Sequence, residues 1–354
     1  MEANRENSAG SFNSAMELTR MGVAGVPKEY ILPPLQRPNC SLAMQPSTVL
    51  PVTDLSLLHH PIHRSKIIEE VGIACKELGF FQVINHGIDL SDIHDAFDAA
   101  AQFFNLPYEE KISLASADVR EPVRYGTSLN QVKDSVRYWR DFIKHYSHPI
   151  STWIDLWPSN PVCYRNKMGT YTQALHVFQK QVMEVVFESL GLNPNYMNEE
   201  IEKGSQVMAV NCYPACPKPD LVLGMPPHSD YGYLTILAQN HPGLEIMDHN
   251  KTWHRVPLIE GALIVQLGDQ MEIITNGRYK SPIHRAIVSA ETNRISMASL
   301  HSLAFDTKVR PAPEFVDEHH VLSYKEGSFG EFLDFLSKND ITQGSYKDTL
   351  RKNP

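Results

Sequence analysis

The hydrophobic period of the chain changes close to residue 205, and this change limits the fold more than any other feature. Before it, apolar residues recur every three to five positions, most clearly from Tyr171 to Leu190; after it, apolar and polar residues alternate. The first spacing predicts helices and the second predicts strands. Strand-like runs occur at 207–212, 222–224, 233–238, 243–247, 252–256, 262–267, 271–275, 283–288 and 294–304. Many short strands at this interval predict a sandwich or jelly roll, so the expected fold is mainly β with flanking helices.

The first half of the chain is predicted to supply those helices. Apolar spacing predicts helices at 64–76 and 90–105, with a buried strand at 80–85 between them. Residues 114–161 show no period and are rich in aromatic side chains, which predicts irregular structure. In the second half, Asn276-Gly277 lies between two strand-like runs, a pattern that predicts a hairpin turn.

These patterns divide the chain into four regions. Residues 1–46 are rich in Ser, Asn and Pro and are predicted to be an arm, disordered at first and then extended along the body. Residues 47–200 form a helix-rich region, and residues 201–310 form the strand-rich core. Residues 311–354 form a helical lid or tail, in which Phe329, Phe332, Leu333 and Leu336 share one side of a helix.

Composition excludes several classes of function. The chain has 354 residues and a net charge of -9, without a basic stripe, which argues against nucleic acid and anionic membrane surfaces as partners. No apolar run is long enough to span a bilayer. Five irregularly spaced cysteines argue against a disulfide framework and favour a reducing compartment. We therefore expect a cytoplasmic monomer, with the nucleus as an alternative location, that acts on a small molecule.

Three side chains in the strand-rich region suggest a metal site. His228 and Asp230 are two positions apart, so they share a face if the segment is a strand, and His284 can reach them from another strand. Two imidazoles and one carboxylate on one side of an ion leave three positions open, as in non-haem Fe(II) oxygenases. A histidine two residues before an aspartate also occurs by chance, and these residues could instead have ordinary structural roles.

A second pair, Arg294 and Ser296, also lies two positions apart in a predicted strand. A guanidinium fork and a hydroxyl on one face suit a carboxylate, because charge-assisted hydrogen bonds recognise its planar geometry. The alternative for Arg294 is an ordinary surface arginine.

From residue 50 to the end, the sequence resembles the plant soluble 2-oxoglutarate- and Fe(II)-dependent dioxygenase family. Several family motifs occur in order, which is more specific than any one of them. They are residues 79–87 (GFFQVINHG), 211–214 (NCYP), 224–230 (GMPPHSD), 268–269 (GD), 281–285 (SPIHR) and 294–296 (RIS). The resemblance extends to members of the flavanone 3-hydroxylase and gibberellin oxidase types.

The resemblance implies a double-stranded β-helix, a distorted jelly roll with helices outside. It implies that His228, Asp230 and His284 bind iron and act as the catalytic centre. The family pattern further implies that Arg294, Ser296, Tyr213 and Asn211 bind 2-oxoglutarate. Enzymes of this family use O2, release succinate and CO2, and commonly use ascorbate as a reductant.

The resemblance gives less information on the substrate. Candidate pocket residues are Tyr125, Asn130, Phe142, Lys144, Tyr231, Tyr233 and Leu300. An apolar, partly aromatic pocket suits a plant metabolite of flavonoid, diterpenoid hormone or alkaloid type. Flavonoid-oxidising members usually carry Phe at the position of Leu300, which lowers the expectation of a flavonoid; Lys144 could pair with a substrate carboxylate.

Two other functions fit the same residues. An iron oxidase that takes electrons from ascorbate could keep the same metal ligands. A catalytically silent jelly-roll binding protein could keep the fold alone.

Overall fold

The computed structural model describes residues 14–38, 50–128, 130, 133–340 and 344–352. Over these residues the chain forms two β sheets, with helices packed against the larger one. The helices are α1 (Ala15–Arg20), α2 (Arg64–Glu77), α3 (Leu90–Asn105), α4 (Tyr108–Ile112), α5 (Ile150–Trp153), α6 (Tyr164–Ser189), α7 (Asn198–Glu202), α8 (Asp269–Ile274), α9 (Phe329–Lys338) and α10 (Tyr346–Leu350). The strands are β1 (Val52–Asp54), β2 (Phe80–Ile84), β3 (Val123–Gly126), β4 (Asp141–His148), β5 (Ser205–Tyr213), β6 (Met225–His228), β7 (Leu234–Gln239), β8 (Leu244–Met247), β9 (Trp253–Arg255), β10 (Leu263–Leu267), β11 (His284–Ala286) and β12 (Arg294–Ser302).

The larger sheet has eight strands in the order β1-β2-β10-β7-β12-β5-β4-β3, and the smaller one has four in the order β6-β11-β8-β9. Only the β1–β2 pair runs parallel among the paired strands of the described residues. β12 and β5 pair over their full length, from Arg294 opposite Tyr213 to Ser302 opposite Ser205. This register determines which side chains share a row across the sheet.

The helices cover the outer face of the larger sheet. α3 begins at Asp89, whose side chain accepts a hydrogen bond from the Ser91 amide at 2.9 Å, and it buries Ile93, Ala100 and Phe103. α6 is 26 residues long and packs against α2 and α3. The predicted helices at 64–76 and 90–105 and the predicted strand at 80–85 are thus present, with ends that differ by one residue or less.

The arm differs from the extended segment that the sequence predicts. Its described part begins with α1, and the Ser14 hydroxyl and the Ala15 amide donate hydrogen bonds to the buried carboxylate of Asp141. Tyr125 donates a third hydrogen bond to the same carboxylate at 2.8 Å. The arm is therefore attached to β4, the strand next to the edge of the larger sheet. The predicted disorder falls mainly on residues 1–13 and lies outside the described residues.

The structure corrects the prediction of a strand at 271–275. These residues belong mostly to α8, in which all six side chains are buried, so the segment shows no helical period. Asn276 and Gly277 have φ of +52° and +82°, and the Gly277 amide donates to the Glu272 carbonyl at 2.8 Å. The Asn-Gly pair consequently ends a helix, where left-handed backbone is common, and does not form the predicted hairpin. The strand predicted at 222–224 is also displaced, since β6 begins at Met225.

Residues 114–161 contain two strands that the irregular pattern did not predict. β4 pairs with β5, and β3 forms the edge next to it. Strands from both sides of residue 200 thus share one sheet. The four-region division of the chain stays a prediction.

No helix in the described part of the chain combines the length and apolar character needed to cross a membrane. Cys75, Cys163, Cys212 and Cys216 are all free thiols. Cys40, the remaining cysteine of the sequence, lies outside the described residues.

Candidate metal centre and adjoining cavity

His228, Asp230 and His284 converge on one point of the smaller sheet. His228 ends β6 and His284 begins β11, and the two residues are directly paired across these strands. The Asp230 Oδ1 atom lies 3.7 Å from the Nε2 atom of each histidine. At metal–ligand distances of about 2.1 Å, one ion can reach two atoms separated by this amount. The pairing of antiparallel strands therefore brings together ligands that lie more than 50 residues apart.

Backbone carbonyls orient both imidazoles toward this point. The Nδ1 atom of His228 lies 2.8 Å from the Pro226 carbonyl, and that of His284 lies 3.3 Å from the Pro282 carbonyl. When Nδ1 carries the proton and donates it to the carbonyl, Nε2 has a free lone pair. Burial, with the neighbouring His284, holds the pKa of His228 well below its ordinary value, so this imidazole is neutral. Two imidazoles and a carboxylate with an open side suit Fe(II).

A second group of potential ligands is less suited to a metal. His148, His176 and Glu202 also lie within 4.8 Å of one another. Their imidazoles are stacked at a centroid distance of 3.9 Å, and Glu202 is already paired with Lys180. The group is half-exposed, so we place the candidate metal centre at His228, Asp230 and His284.

A cavity of about 470 Å³ lies in front of these three residues. One wall is the smaller sheet with His228 and His284, and the other is the inner face of the larger sheet. Ser296, Ala298 and Leu300 of β12 alternate along this second wall. The cavity is large enough for a co-substrate and a small metabolite together.

Arg294 is a buried cation at one end of the cavity. Its Nε donates to the His241 carbonyl at 3.1 Å and its Nη2 to the Gln239 side-chain oxygen at 3.0 Å. Its Nη1 is buried without a hydrogen-bond partner among the residues that the structure describes. The guanidinium lies 4.8 Å from the centre of the Tyr213 ring. A buried guanidinium with an unused donor needs an anionic partner, and the adjoining cavity can supply one.

Two glycines allow the chain to pass close to this end. A Cβ atom at Gly243 would lie 2.8 Å from Cδ of Arg294, and one at Gly224 would lie 2.4 Å from the Tyr213 ring. Both distances are shorter than side chains tolerate. Any larger residue at either position would therefore displace Arg294 or Tyr213.

Arg140 is a second buried guanidinium, which the sequence did not single out. Its Nη1 donates to the Asn211 side-chain oxygen at 2.6 Å, and its Nη2 has no partner within the described ranges. Asn211 is directly opposite Ser296 in the sheet. Arg140 thus fixes the orientation of Asn211 beside the end of the cavity that contains Arg294. Only its position two residues before Phe142, just ahead of β4, could have indicated this role.

The seven residues predicted for the substrate pocket fall into two groups. Phe142, Lys144, Tyr231 and Leu300 line the cavity. Tyr125, Asn130 and Tyr233 are absent from its lining. Tyr125 is directed toward Asp141, Tyr233 donates to Gln179 at 3.1 Å, and Asn130 donates to the Leu336 carbonyl at 2.9 Å. Alternation in β3 places Tyr125 in the core, and Tyr233, just before β7, is buried there too, which the aromatic pattern alone could not indicate.

Helix α9 and the C-terminal segment close the cavity opposite the larger sheet. α9 begins with a capping box between Ser328 and Glu331. The Phe332 ring stacks on Tyr231, with centroids 4.4 Å apart and planes 3° from parallel. Since Tyr231 follows Asp230 directly, this stacking holds α9 next to the candidate metal centre. We call α9 and the C-terminal segment (residues 344–350) the lid. The apolar side of this helix is visible in the sequence, which predicts a helical lid or tail at residues 311–354.

A buried ionic network anchors the C-terminal segment close to the candidate metal ligands. The Lys347 ammonium lies 3.1 Å from the Asp269 carboxylate and 2.8 Å from that of Glu272. Asp269 also accepts hydrogen bonds of 3.1 Å from Ser229 and from Ser345. Ser229 lies between His228 and Asp230, so the network connects the C-terminal segment to the loop that bears two of the three candidate ligands.

Two family models match the chain. The 2OG-Fe(II) oxygenase superfamily model matches residues 204–302. The model described as the N-terminal region of a non-haem dioxygenase in morphine synthesis matches residues 50–160. The first match contains all three candidate metal ligands.

Curated proteins match over nearly their whole length. The chain is 43% identical over 331 residues to 2-oxoglutarate-dependent dioxygenase 21, chloroplastic, of Oryza sativa subsp. japonica, covering 92% of this chain and 94% of that protein. It is 42% identical to flavanone 3-dioxygenase 3 of the same organism, covering 92% and 98%. Among solved structures, JOX2 in complex with 2OG, Fe, and JA superposes with a TM-score of 0.85 at 28% identity, covering 97% and 99%. This structural match confirms the predicted fold class, helices around a jelly-roll core.

Proposed function

The chain belongs to the 2OG-Fe(II) oxygenase superfamily, as its motifs predict, and we propose that it oxidises a small, largely apolar metabolite. It is a dioxygenase that depends on Fe(II) and 2-oxoglutarate. The observation that carries the proposal is that the His228–Asp230–His284 group and the unpaired nitrogen of Arg294 border the same cavity.

We assign the iron to His228, Asp230 and His284. Their three ligand atoms lie within 4.8 Å of one another, and backbone carbonyls hold both imidazoles in the tautomer that can bind a metal. The donor set of two nitrogens and one oxygen is that of non-haem Fe(II) oxygenases.

We assign 2-oxoglutarate to the end of the cavity that contains Arg294. The guanidinium and the Ser296 hydroxyl would bind its distal carboxylate, because they lie on one face of β12 and Nη1 lacks a partner within the described residues. Tyr213 lies beside the guanidinium, and Asn211 is held by Arg140. These two side chains limit the positions that the co-substrate can adopt.

When bound, iron and 2-oxoglutarate supply the oxidising chemistry, in which O2 is consumed and 2-oxoglutarate is converted to succinate and CO2. The residues of the chain orient the reactants and exclude water. Tyr231, Phe332 and the other apolar side chains of the lid separate the cavity from solvent. A dry cavity favours reaction at the bound substrate over reaction at the protein itself.

The shape and lining of the cavity support a substrate with a flat, apolar body. Phe142 and Leu300 on the sheet face Phe332 on the lid. This lining suits a flavonoid, diterpenoid or alkaloid body, and one relative is named flavanone 3-dioxygenase 3. We further propose a monomer that does not bind nucleic acid. One relative is named chloroplastic, and a cytoplasmic location for this chain stays a prediction.

The test is to incubate the purified chain with Fe(II), ascorbate, 2-oxoglutarate and a library of plant metabolites. We expect a product heavier by one oxygen, or lighter by two hydrogens, with one succinate formed for each product. Product formed without 2-oxoglutarate would instead indicate an ascorbate-dependent oxidase. Absence of both iron binding and 2-oxoglutarate consumption would indicate a catalytically silent binding protein.

A further inference from the structure

Strand β4 and the residue before it present an alternating row of cations and rings to the cavity. Arg140, Phe142, Lys144 and Tyr146 are each two residues apart, and all four line the cavity. Arg124 of β3 is paired directly opposite Lys144 and also lines it. A strand that faces an apolar substrate alone would not require basic residues at alternate positions.

Arg124 and Lys144 lie away from the end assigned to 2-oxoglutarate. Across the sheet, Arg294 shares a row with Tyr213, whereas Lys144 shares one with Ala209 and Ala298. These rows are four residues apart along β5, which corresponds to roughly 13 Å. A co-substrate held at Arg294 therefore leaves Arg124 and Lys144 to another ligand. The two alanines leave space beside Lys144 for that ligand.

Neither cation has a carboxylate partner within 4.0 Å in the described part of the chain. Arg124 donates to the Ser116 and Ser128 carbonyls at 2.7 and 3.1 Å, and Lys144 donates to the Val119 carbonyl at 2.8 Å. Neutral carbonyls do not balance the two charges. Arg124 is 1% exposed, and burial together with Arg124 lowers the pKa of Lys144 to about 8.

Two buried cations elsewhere in the described part of the chain do have such partners. Arg285 lies 2.7 Å from the Glu245 carboxylate, and Lys347 lies 2.8 Å from that of Glu272. Arg124 and Lys144 thus differ from Arg285, which also lines the cavity, because they have no carboxylate partner among the described residues. Buried charge without a partner is costly, so a ligand that supplies a negative charge there binds favourably.

We propose that the substrate is an apolar acid, whose carboxylate binds between Arg124 and Lys144 while its body lies against Phe142 and the lid. This assignment rests on the proposed function, because it takes the cavity in front of the metal centre as the substrate site. It narrows the substrate class to metabolites that carry a carboxylate. Neutral flavonoids and basic alkaloids are then disfavoured.

The test compares acids with their methyl esters, which have the same body and no charge. The full chain is loaded with Mn(II) and saturating 2-oxoglutarate, so that no turnover occurs and Arg294 is occupied. Dissociation constants are measured by equilibrium dialysis for 2-naphthoate, biphenyl-4-carboxylate and phenanthrene-9-carboxylate, and for the three esters. We expect at least one acid to bind about tenfold or more tightly than its ester, as charge-assisted hydrogen bonds imply.

Substitutions then locate the charge that is responsible. Lys144→Met should reduce the preference for the acid to within about threefold and leave the affinity for the ester unchanged. Arg124→Met should have the same effect. It tests the second cation independently of Lys144. Lys66→Met is the matched control, since Lys66 is 75% exposed on α2. The control should retain the wild-type preference.

Two results would overturn the inference. One is that no acid binds more tightly than its ester, which includes the case in which neither binds. The other is that both variants keep the preference for the acid. A parallel measurement of 2-oxoglutarate binding and consumption distinguishes this failure from failure of the proposed function, because only the latter abolishes both.

Discussion

Arg294 has two hydrogen bonds that fix its guanidinium and one buried nitrogen that faces no protein acceptor in the described ranges. Arg294→Lys keeps the charge but cannot reproduce both the anchoring contacts and a two-pronged contact to a carboxylate. We expect the KM for 2-oxoglutarate to rise by about 10-fold to 100-fold, which corresponds to roughly 1.4–2.7 kcal/mol. The measurement is the rate of succinate formation at increasing 2-oxoglutarate.

The control for this variant is Arg278→Lys. Arg278 lies 4.7 Å from the Phe315 ring, away from the cavity. Its substitution should leave the KM unchanged. Equal effects of the two substitutions would contradict the assignment of the co-substrate to Arg294.

Asp230 supplies the one negative charge among the three candidate ligands. Asp230→Ala removes this charge and one coordination position, so we expect turnover to fall by more than about 100-fold with a small change in melting temperature. His148→Ala provides the control, because His148 belongs to the other group of potential ligands. A variant at Asp230 that binds iron and turns over normally would remove the metal assignment.

Lys144 should make acid binding depend on pH. Burial and Arg124 lower the pKa of Lys144 to about 8, while Asp118 and Glu121 raise it. Below that pH the ammonium is already charged; above it, binding an anion requires uptake of a proton. The affinity for the acid should therefore be constant from pH 6.5 to 7.5 and weaken above pH 8, approaching about tenfold per pH unit.

The methyl ester is the internal control for this pH profile. Its affinity should not change over the same range, because it carries no charge to pair with the ammonium. In Lys144→Met, the fall in acid affinity above pH 8 should disappear. An acid profile that is flat in the wild-type chain would contradict the role of Lys144.

At the level of single residues, the sequence carried a signal where two chemically unusual side chains lay two positions apart. His228 with Asp230, and Arg294 with Ser296, were recognisable from their spacing of two. Arg140 was not, because its importance depends on a nitrogen that only the fold leaves unpaired. Tyr125 was misplaced because an aromatic residue in a strand has the same appearance in sequence whichever face it occupies.

Among the elements, the C-terminal segment depends on charges buried beneath it. Lys347 is 4% exposed and pairs with both Asp269 and Glu272. Lys347→Met leaves both carboxylates without their closest cation, and removal of one partner of a buried pair costs about 3–5 kcal/mol. We expect amide exchange in residues 344–350 to accelerate far more than exchange in β5 and β12, as measured by mass spectrometry.

A double variant distinguishes loss of the ionic pairing of Lys347 from a general loss of packing. Adding Glu272→Gln to Lys347→Met removes one of the two carboxylates that lost the Lys347 ammonium, so the double variant should recover part of the protection. Lys325→Met is the matched control, because Lys325 is exposed nearby. Acceleration of the same size in the control would show that the buried pairing is not the cause.

Periodicity predicted elements well when one face was buried and the other exposed. α2 and α3 meet this condition, whereas β7, β10 and β11 are buried along their whole length and were predicted as short runs between turn signals. α8 does not meet it either, since all six of its side chains are buried, and it was predicted to be a strand. β4 was missed for the opposite reason. Lys144 in the strand and Arg140 just before it line the cavity, at positions where an apolar pattern would expect hydrophobic residues.

At the scale of the whole molecule, the proposed ligands bridge the two sheets. His228 and His284 belong to the smaller sheet, and Arg294 and Ser296 belong to the larger one. A 2-oxoglutarate molecule that binds the metal at one end and Arg294 at the other would connect them. The two sheets are separated by the cavity at this point, so the connection should stabilise the folded chain.

Stability should therefore rise in two steps that different residues control. Mn(II) alone should raise the melting temperature, and 2-oxoglutarate should raise it further; a ligand at 100 times its Kd contributes about 2.7 kcal/mol. Removal of the metal with EDTA should reverse both steps, because 2-oxoglutarate then loses one of its two attachment points. In Asp230→Ala both steps should be lost, whereas in Arg294→Lys the metal step should remain and the 2-oxoglutarate step should shrink. Differential scanning fluorimetry measures both, and a 2-oxoglutarate step that persists in full without metal would show that the co-substrate does not connect the sheets through the metal centre.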